Sequence, residues 1–290
     1  MDTSFRNRLR FSLPLLLDGA TGTELDRRGL DLTPPLWSAR SLLSHPEIVR
    51  EIHESYVEAG ADVITANTFR THDRNVRDEG LNGRDMTRLA VEIAREAAGD
   101  RAFVVGSIAP LQDCYRPELT LPEEVLLDEH RQMAGHLDES GVDGILVETQ
   151  LTIREAVAAT RAATETQLPT LVSFVCGIDS KLLSGESLTD AVTAVLPFGP
   201  SAILVNCVPA DVVAGLLKEI QQSAPGIACG AYANTGRYDA DTGWSDTVAV
   251  EADVYVELAE EWLNSGATII GGCCGTTPTH IRRLRQLLDA

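Results

Sequence analysis

The 290-residue chain has 24 lysine and arginine residues against 43 aspartate and glutamate residues, a formal net charge of −19. This charge repels phosphate backbones and argues against nucleic acid as a partner. No apolar run approaches the ~20 residues of a membrane span. Asp18 and Gly19 stand where a signal peptide would have its small cleavage-site residues. We therefore expect a cytoplasmic protein with no membrane partner.

Short apolar runs alternate with longer amphipathic segments along the whole chain. Most runs are continuous rather than alternating, which is typical of parallel strands buried on both faces. The predicted strands are 13–19, 61–69, 102–110, 143–150, 169–176, 201–207, 226–234 and 267–275. The predicted helices are 46–60, 83–99, 121–141, 151–167, 187–196, 210–223, 250–266 and 278–288. Thr120 is the expected N-cap of the helix over 121–141.

Eight strands alternating with eight helices predict a single α/β domain over 1–290, a (β/α)₈ TIM barrel. A doubly wound open sheet is the alternative. The glycines after the first strand, in DGATGTELDRRG, lack the G-x-G-x-x-G spacing that such a sheet usually carries. The segment 236–248 is expected to form a loop over one face of the barrel.

Cysteines stand at the ends of two predicted strands, where the active site of such a barrel lies. Cys207 ends the sixth strand, and Cys273 and Cys274 end the eighth. Three thiolates in one pocket suit zinc, although free cysteines also serve as small buried hydrophobes. Adjacent cysteines share one metal only if their strand breaks, which the glycines Gly271, Gly272 and Gly275 favour. The remaining cysteines are interpreted as buried hydrophobes: Cys114, Cys176 and Cys229.

Two carboxylates, Asp18 and Glu148, end the first and fourth strands. Such a pair can bind an ammonium group or act as acid and base, although Asp18 taken alone is more typical of a helix N-cap or an ordinary turn. Polar strand ends can bind a small ligand or satisfy loop backbone; these are Asn67, Thr68, Asn206 and Asn234. No histidine ends a strand, and His72 is the one placed near the expected pocket.

Seven short motifs occur in order from near the beginning of the chain to its end. They are LLLDGATGTEL at 15–25, ANTF at 66–69, VET at 147–149, LSGESL at 183–188, VNC at 205–207, YANTG at 232–236 and GGCCGTTPTHI at 271–281. On these motifs the chain resembles the homocysteine S-methyltransferase family. ANTF and GGCCGTTPTHI look closer to the homocysteine module of cobalamin-dependent methionine synthase, and the short length is similar to the stand-alone enzymes.

The resemblance implies a (β/α)₈ barrel with a catalytic zinc ion on Cys207, Cys273 and Cys274. It further implies that Asp18 and Glu148 hold the amino group of homocysteine. The rest of the amino-acid pocket would be lined by Gly19, Asn67, Thr68 and Asn206.

The expected reaction is transfer of a methyl group from S-methylmethionine or S-adenosylmethionine to the zinc-bound thiolate of homocysteine, giving methionine. Alternatives within the class are betaine or a methyl-corrinoid partner protein as donor, and another thiol or a selenol as acceptor. A non-catalytic zinc-binding barrel and a metal-independent barrel lyase are alternatives from other classes. Donor specificity is expected in 236–248, and a homo-oligomer is compatible with the sequence.

Overall fold

The computed structural model describes residues 4–10, 13–239 and 243–290. Within these ranges the chain alternates short strands with helices. The strands are β1 Leu15–Leu16, β2 Val63–Ala66, β3 Phe103–Ile108, β4 Gly144–Gln150, β5 Thr170–Phe174, β6 Ala202–Pro209, β7 Ala228–Asn234, β8 Gly236–Asp239, β9 Gly243–Asp246 and β10 Ile269–Gly272.

Helices surround the strands. They are α1 Phe5–Arg8, α2 Thr21–Arg27, α3 Ser41–Ser44, α4 Pro46–Glu58, α5 Asp73–Val76, α6 Gly83–Ala98, α7 Glu123–Glu139, α8 Ile153–Glu165, α9 Leu188–Val195, α10 Val213–Ser223, α11 Ala252–Asn264 and α12 Pro278–Leu288. Short 3₁₀-helices span Trp37–Arg40, Arg77–Glu79, Pro117–Leu119, Leu196–Phe198, Ala210–Val212 and Val248–Val250. None of the described helices has the length and hydrophobicity of a membrane-spanning segment.

Eight of the strands form one parallel sheet in the order β1-β10-β7-β6-β5-β4-β3-β2. A parallel bridge between Leu17 and Val63 joins the two ends of this order. The Asp62 amide beside it donates to the Leu16 carbonyl oxygen at 2.8 Å. The predicted (β/α)₈ barrel is therefore confirmed, and the doubly wound sheet is excluded.

Two layers of apolar side chains make up the core. The outer layer fills the space between the strands and the helices. The inner cluster fills the barrel, and Phe5 of α1 packs against its strand residues, which are Leu15, Leu17, Val63, Val105, Leu146, Leu171, Ala202, Leu204, Tyr232 and Ile269. Because this interior is filled, a ligand has no room inside the barrel itself.

Three local predictions are corrected. The first strand is two residues long instead of spanning 13–19. Helix α7 has Pro122 rather than Thr120 as its N-cap, because Thr120 ends the preceding 3₁₀-helix. The segment 236–248 contains the antiparallel hairpin of β8 and β9 rather than a plain loop, and its residues 240–242 lie outside the described ranges.

The buried His53 of α4 makes the stability of the fold sensitive to acid. Its side chain is fully buried, neither ring nitrogen has a partner among the described residues, and burial lowers its pKa to about 4. The unfolded chain binds this proton near pH 6.5, so stability is lost as the pH falls from about 6.5 towards about 4. We expect protonation of His53 in the unfolded chain to lower the free energy of unfolding by about 2 kcal/mol at pH 5.

The substitution His53→Leu should remove this loss. Urea unfolding of both proteins at neutral pH and at about pH 5 measures it. The expected result is a smaller drop in the unfolding midpoint for the variant. An equal drop in both proteins would show that His53 is not the group responsible.

Candidate active site

Three cysteine sulfurs meet at the carboxyl end of the barrel. The Sγ atoms of Cys207 and Cys273 are 3.0 Å apart, and those of Cys273 and Cys274 are 4.0 Å apart. All three lie within 4.8 Å of one another. The sequence-predicted trio is therefore brought together as one cluster.

The adjacent cysteines face the same point because β10 ends before them. Within a strand they would point to opposite faces, but the strand stops at Gly272. A Cβ atom on Gly272 would lie 2.4 Å from Thr276 Oγ1, so a side chain here would disturb the turn. The Cys273 amide donates to the Ala233 carbonyl oxygen at 2.8 Å, and the Cys274 amide donates to Asn234 Oδ1 at 3.0 Å. The expected strand break is thus present.

Cys207 reaches the cluster from a β-bulge in β6. Asn206 pairs with Tyr232 and Pro209 pairs with Asn234, so β6 carries one extra residue here. Cys207 within the bulge has φ 52°, a left-handed conformation that is uncommon outside glycine. The bulge turns the Cys207 side chain towards the cavity instead of following the strand alternation.

A second bulge, in β4, holds Glu148 and Thr149. The register there shifts between Val147 and Gln150, and Thr149 has φ 59°. The side-chain amide of Asn206 spans the two bulges. It accepts from the Thr149 amide at 3.0 Å and from Ser173 Oγ at 2.7 Å, and it donates to Thr149 Oγ1 at 2.8 Å. The bulges that present Glu148 and Cys207 are therefore tied together.

The trio fits a thiophilic metal ion. Three thiolates at about 2.3 Å from a tetrahedral metal lie about 3.8 Å apart, and the observed separations of 3.0 and 4.0 Å bracket this value. Hydrogen bonding within the trio raises the pKa of Cys207 and lowers that of Cys274. The three thiols therefore do not all ionise without a cation between them.

Asp18 and Glu148 are buried carboxyl groups in the wall of the same cavity. Asp18 accepts from the Thr65 amide at 2.8 Å and from Thr65 Oγ1 at 3.0 Å. Glu148 accepts from Ser107 Oγ, and from the Tyr232 hydroxyl at 3.1 Å. Burial raises the pKa of Asp18 to about 8 and that of Glu148 to about 7. A bound cation would return both groups to the charged form.

The cavity itself measures about 500 Å³ and includes the trio and both carboxyl groups in its wall. Part of its wall is apolar and aromatic. Trp37 and Phe69 meet there edge to face with ring centroids 5.6 Å apart, and Tyr115 also lines the wall. A single chamber thus joins a thiol cluster, a carboxyl pair and an aromatic wall.

The remaining predicted residues divide into two groups. Gly19 and Asn67 line the cavity, and Asn67 also accepts from Ser38 Oγ at 2.7 Å. Thr68 and Asn206 are fully buried behind the lining. Thr68 links β2 to β3 by donating to the Ser107 carbonyl oxygen at 2.9 Å and accepting from the Ser107 amide at 2.8 Å.

His72 and two of the other three cysteines lie outside the cavity wall. His72 is buried against His130, with ring centroids 5.9 Å apart, and is not in the cavity wall. Cys176 and Cys229 are buried as predicted, whereas Cys114 is half-buried and lines the cavity. The cavity wall also contains residues that the sequence did not indicate, supplied largely by loops: Trp37, Phe69, Arg70 and Tyr115.

The fold and this cavity define a (β/α)₈ barrel enzyme with a cluster of three thiols at the carboxyl ends of its strands. A family model described as homocysteine S-methyltransferase matches residues 15–288. The chain belongs to this family and is a methyltransferase.

Individual relatives agree with the family. The chain is 32% identical to a selenocysteine Se-methyltransferase of Brassica oleracea var. italica, over 94% of this chain and 88% of that protein. It is 30% identical to the homocysteine S-methyltransferase YbgG of Bacillus subtilis, over 93% of each. The metallated crystal structure of the Escherichia coli homocysteine methyltransferase MmuM superposes with a TM-score of 0.82 at 27% identity, covering 96% of this chain and 97% of that one.

The buried Asn206 amide should dominate the stability of this end of the barrel. Asn206→Ala removes three hydrogen bonds, two of them to the buried amide and hydroxyl of Thr149 and one to the Ser173 hydroxyl. We expect a loss of about 2–4 kcal/mol, since each buried unsatisfied group costs about 1–3 kcal/mol. Ser173→Ala, which removes one bond from the same amide, should cost about 1 kcal/mol.

Urea unfolding of the two variants beside the parent protein measures both losses. Equal losses for Asn206→Ala and Ser173→Ala would contradict the bridging role.

Proposed function

We propose that the protein is a zinc-dependent methyltransferase that moves a methyl group from a sulfonium donor, S-methylmethionine or S-adenosylmethionine, to homocysteine, giving methionine. The observation that carries this proposal is the joint placement of a three-thiol cluster and a buried carboxyl pair in one cavity. A thiol amino acid has a thiol that a metal ion on the cluster could bind and an ammonium group that the carboxyl pair could bind. Since all six cysteines are free, a reducing compartment such as the cytoplasm suits the protein.

The trio of Cys207, Cys273 and Cys274 would hold the zinc ion. Zinc, when bound there, would keep the homocysteine thiol in its thiolate form at neutral pH. Asn234 and the Ala233 carbonyl oxygen fix the backbone of the adjacent cysteines. The geometry of the trio is therefore set by the chain before any ligand arrives.

The carboxyl pair would hold the ammonium group of homocysteine. Asp18 and Glu148 are anchored by Thr65 on one side and by Ser107 and Tyr232 on the other. Charge-assisted hydrogen bonds from an ammonium group to two such carboxylates fix its position as well as its charge. The substrate sulfur and nitrogen are then held at two separate points, which orients the molecule.

The aromatic wall suits the cationic donor. The rings of Trp37 and Tyr115 can attract a sulfonium group by cation–π interaction. In the transfer step the homocysteine sulfur attacks the methyl carbon, the bond from that carbon to the sulfonium sulfur breaks, and the donor leaves as a neutral thioether. No proton moves in this step, so no general base is required. Holding the reacting atoms at about 3–3.5 Å contributes on the order of 7–11 kcal/mol.

Selenocysteine is a second candidate acceptor. The 32% identity to a selenocysteine Se-methyltransferase favours it. Selenocysteine is one methylene shorter than homocysteine, so the distance between the carboxyl pair and the trio decides between them. Competition between the two acceptors at equal concentration measures the preference.

Loss of any one cysteine of the trio should abolish both zinc binding and activity. We expect one zinc ion per chain in protein purified under reducing conditions, and a large loss of zinc in Cys273→Ser. Cys114→Ser is the matched control, because Cys114 lines the same cavity but lies outside the trio. Elemental analysis measures the zinc, and methionine formation with each donor measures activity.

The donor panel separates the alternatives. It contains S-methylmethionine, S-adenosylmethionine, betaine and methylcobalamin. Turnover with betaine or methylcobalamin alone would replace the sulfonium donor in the proposal. Zinc without turnover on any donor points to a protein-bound corrinoid donor or to a non-catalytic barrel. Full activity without zinc in Cys207→Ala would support a metal-independent enzyme.

The carboxyl pair should make amino-acid binding depend on pH. The pKa of Asp18 is about 8 and that of Glu148 about 7, so both groups are neutral below these values and bind an ammonium poorly. Affinity for the product methionine, which has no thiol to titrate, should rise between about pH 6 and about pH 8. Calorimetric titration measures this rise.

Glu148→Gln should remove the part of the rise near pH 7 and weaken binding by on the order of 10-fold or more. An unchanged pH profile in Glu148→Gln would contradict the role given to Glu148.

A further inference from the structure

The cavity wall carries one cationic side chain within the ranges that the structure describes, that of Arg70. The acidic side chains in the wall are Asp18, Asp113 and Glu148. In a chain of net charge −19, a lone cation facing this cavity is unexpected on composition alone. Its position calls for a partner of opposite charge.

Backbone and ring contacts fix the guanidinium of Arg70. Its Nη1 donates to the carbonyl oxygens of Pro110 at 3.4 Å and Gln112 at 3.0 Å. Its Cζ lies 5.1 Å from the ring centroid of Phe69. These contacts orient the group but neutralise none of its charge.

No described carboxylate forms an ion pair with Arg70, in contrast to its neighbour Arg74, which pairs with Glu129. Nε and Nη2 of Arg70 likewise have no hydrogen-bond partner among the described residues. These donors match the planar, two-pronged geometry of a carboxylate. The half-buried guanidinium is therefore prepared for an anionic ligand group.

The contacts of Arg70 place it in the aromatic part of the cavity. Its guanidinium lies beside the ring of Phe69, which meets Trp37 edge to face, and it bonds to the loop that carries Tyr115. The carboxyl pair, in contrast, stands on the strand ends of β1 and β4. In an in-line transfer the donor sulfur, the methyl carbon and the homocysteine sulfur lie on one line, so the donor needs space that homocysteine does not fill. If homocysteine binds between the trio and the carboxyl pair, the aromatic part of the cavity is available to the donor.

We propose that Arg70 binds the carboxylate of the methyl donor and thereby selects donors that carry an amino-acid carboxylate. This inference rests on the proposed function. A sulfonium group against the aromatic wall and a carboxylate on Arg70 account for two of the three charged groups of S-methylmethionine.

The test compares S-methylmethionine with its carboxamide, which keeps the sulfonium and ammonium groups and lacks the carboxylate charge. The parent enzyme should prefer the acid by on the order of 10–100-fold in kcat/KM, the range expected for one charge-assisted pair. In Arg70→Met the acid should fall to the level of the amide. The dissociation constant for homocysteine should stay unchanged.

A second variant and a matched control distinguish a specific loss of carboxylate binding from a general loss of structure. Arg70→Lys keeps the charge and should retain part of the preference for the acid. Arg77→Met removes an exposed arginine outside the cavity wall and should leave the preference intact. Equal loss of acid and amide in Arg70→Met would assign Arg70 a structural role only and overturn the proposal.

The remaining outcomes are also decisive. Weaker homocysteine binding with unchanged donor preference in Arg70→Met would move the carboxylate site to the acceptor and overturn the donor assignment. A parent enzyme with no turnover on any donor would reject the proposed function. Calorimetric binding of the acid and the amide to both proteins then decides the role of Arg70, and equal affinities in the parent protein would overturn it.

Discussion

The site depends on one geometric constraint, the convergence of three sulfurs from two strands of the barrel. The alternation of side chains along a strand opposes this convergence, because adjacent residues point to opposite faces of the sheet and the pleat fixes the direction of each side chain. The chain meets the constraint by ending β10 at Gly272 and by placing Cys207 in a bulge of β6. Each solution leaves backbone groups outside the ladder. The Asn234 side chain satisfies one such group, the Cys274 amide, and the Asn206 side chain satisfies the Thr149 amide in the β4 bulge.

The Asn206 amide also couples two parts of the site that are far apart in sequence. Left-handed backbone at Cys207 and Thr149 costs about 1–3 kcal/mol at each residue. The buried bonds from Asn206 to Thr149 and Ser173 offset this cost. Since Glu148 precedes Thr149 and Cys207 follows Asn206, one amide positions a carboxyl group and a sulfur together. Asn206, which was predicted to line the substrate pocket, therefore lies behind that pocket and positions both Glu148 and Cys207.

The barrel was predictable because continuous apolar runs are local patterns. The cysteine trio was predictable because its members end two predicted strands and lie in motifs that resemble those of a known family. The orientation of the polar strand ends was not, because a bulge shifts the two-residue period by one. Thr149 and Cys207 are not glycines, so nothing in the sequence marks their positive φ angles. The wall residues Trp37 and Tyr115 were missed for another reason. They lie outside the strands, and only packing of separate loops brings them to the cavity.

The charged groups inside the cavity behave differently from those on the surface, because they are buried or half-buried. A net charge of −19 describes the solvated surface, where screening weakens each group. In the cavity, burial raises the pKa values of Asp18 and Glu148, while the guanidinium of Arg70 lies beside the ring of Phe69. The pair of acids and the single base therefore lie in different parts of one chamber. Under the two proposals made above, two zwitterionic substrates would be distinguished by the charged group that is bound, since the acids would bind an ammonium group and the arginine a carboxylate.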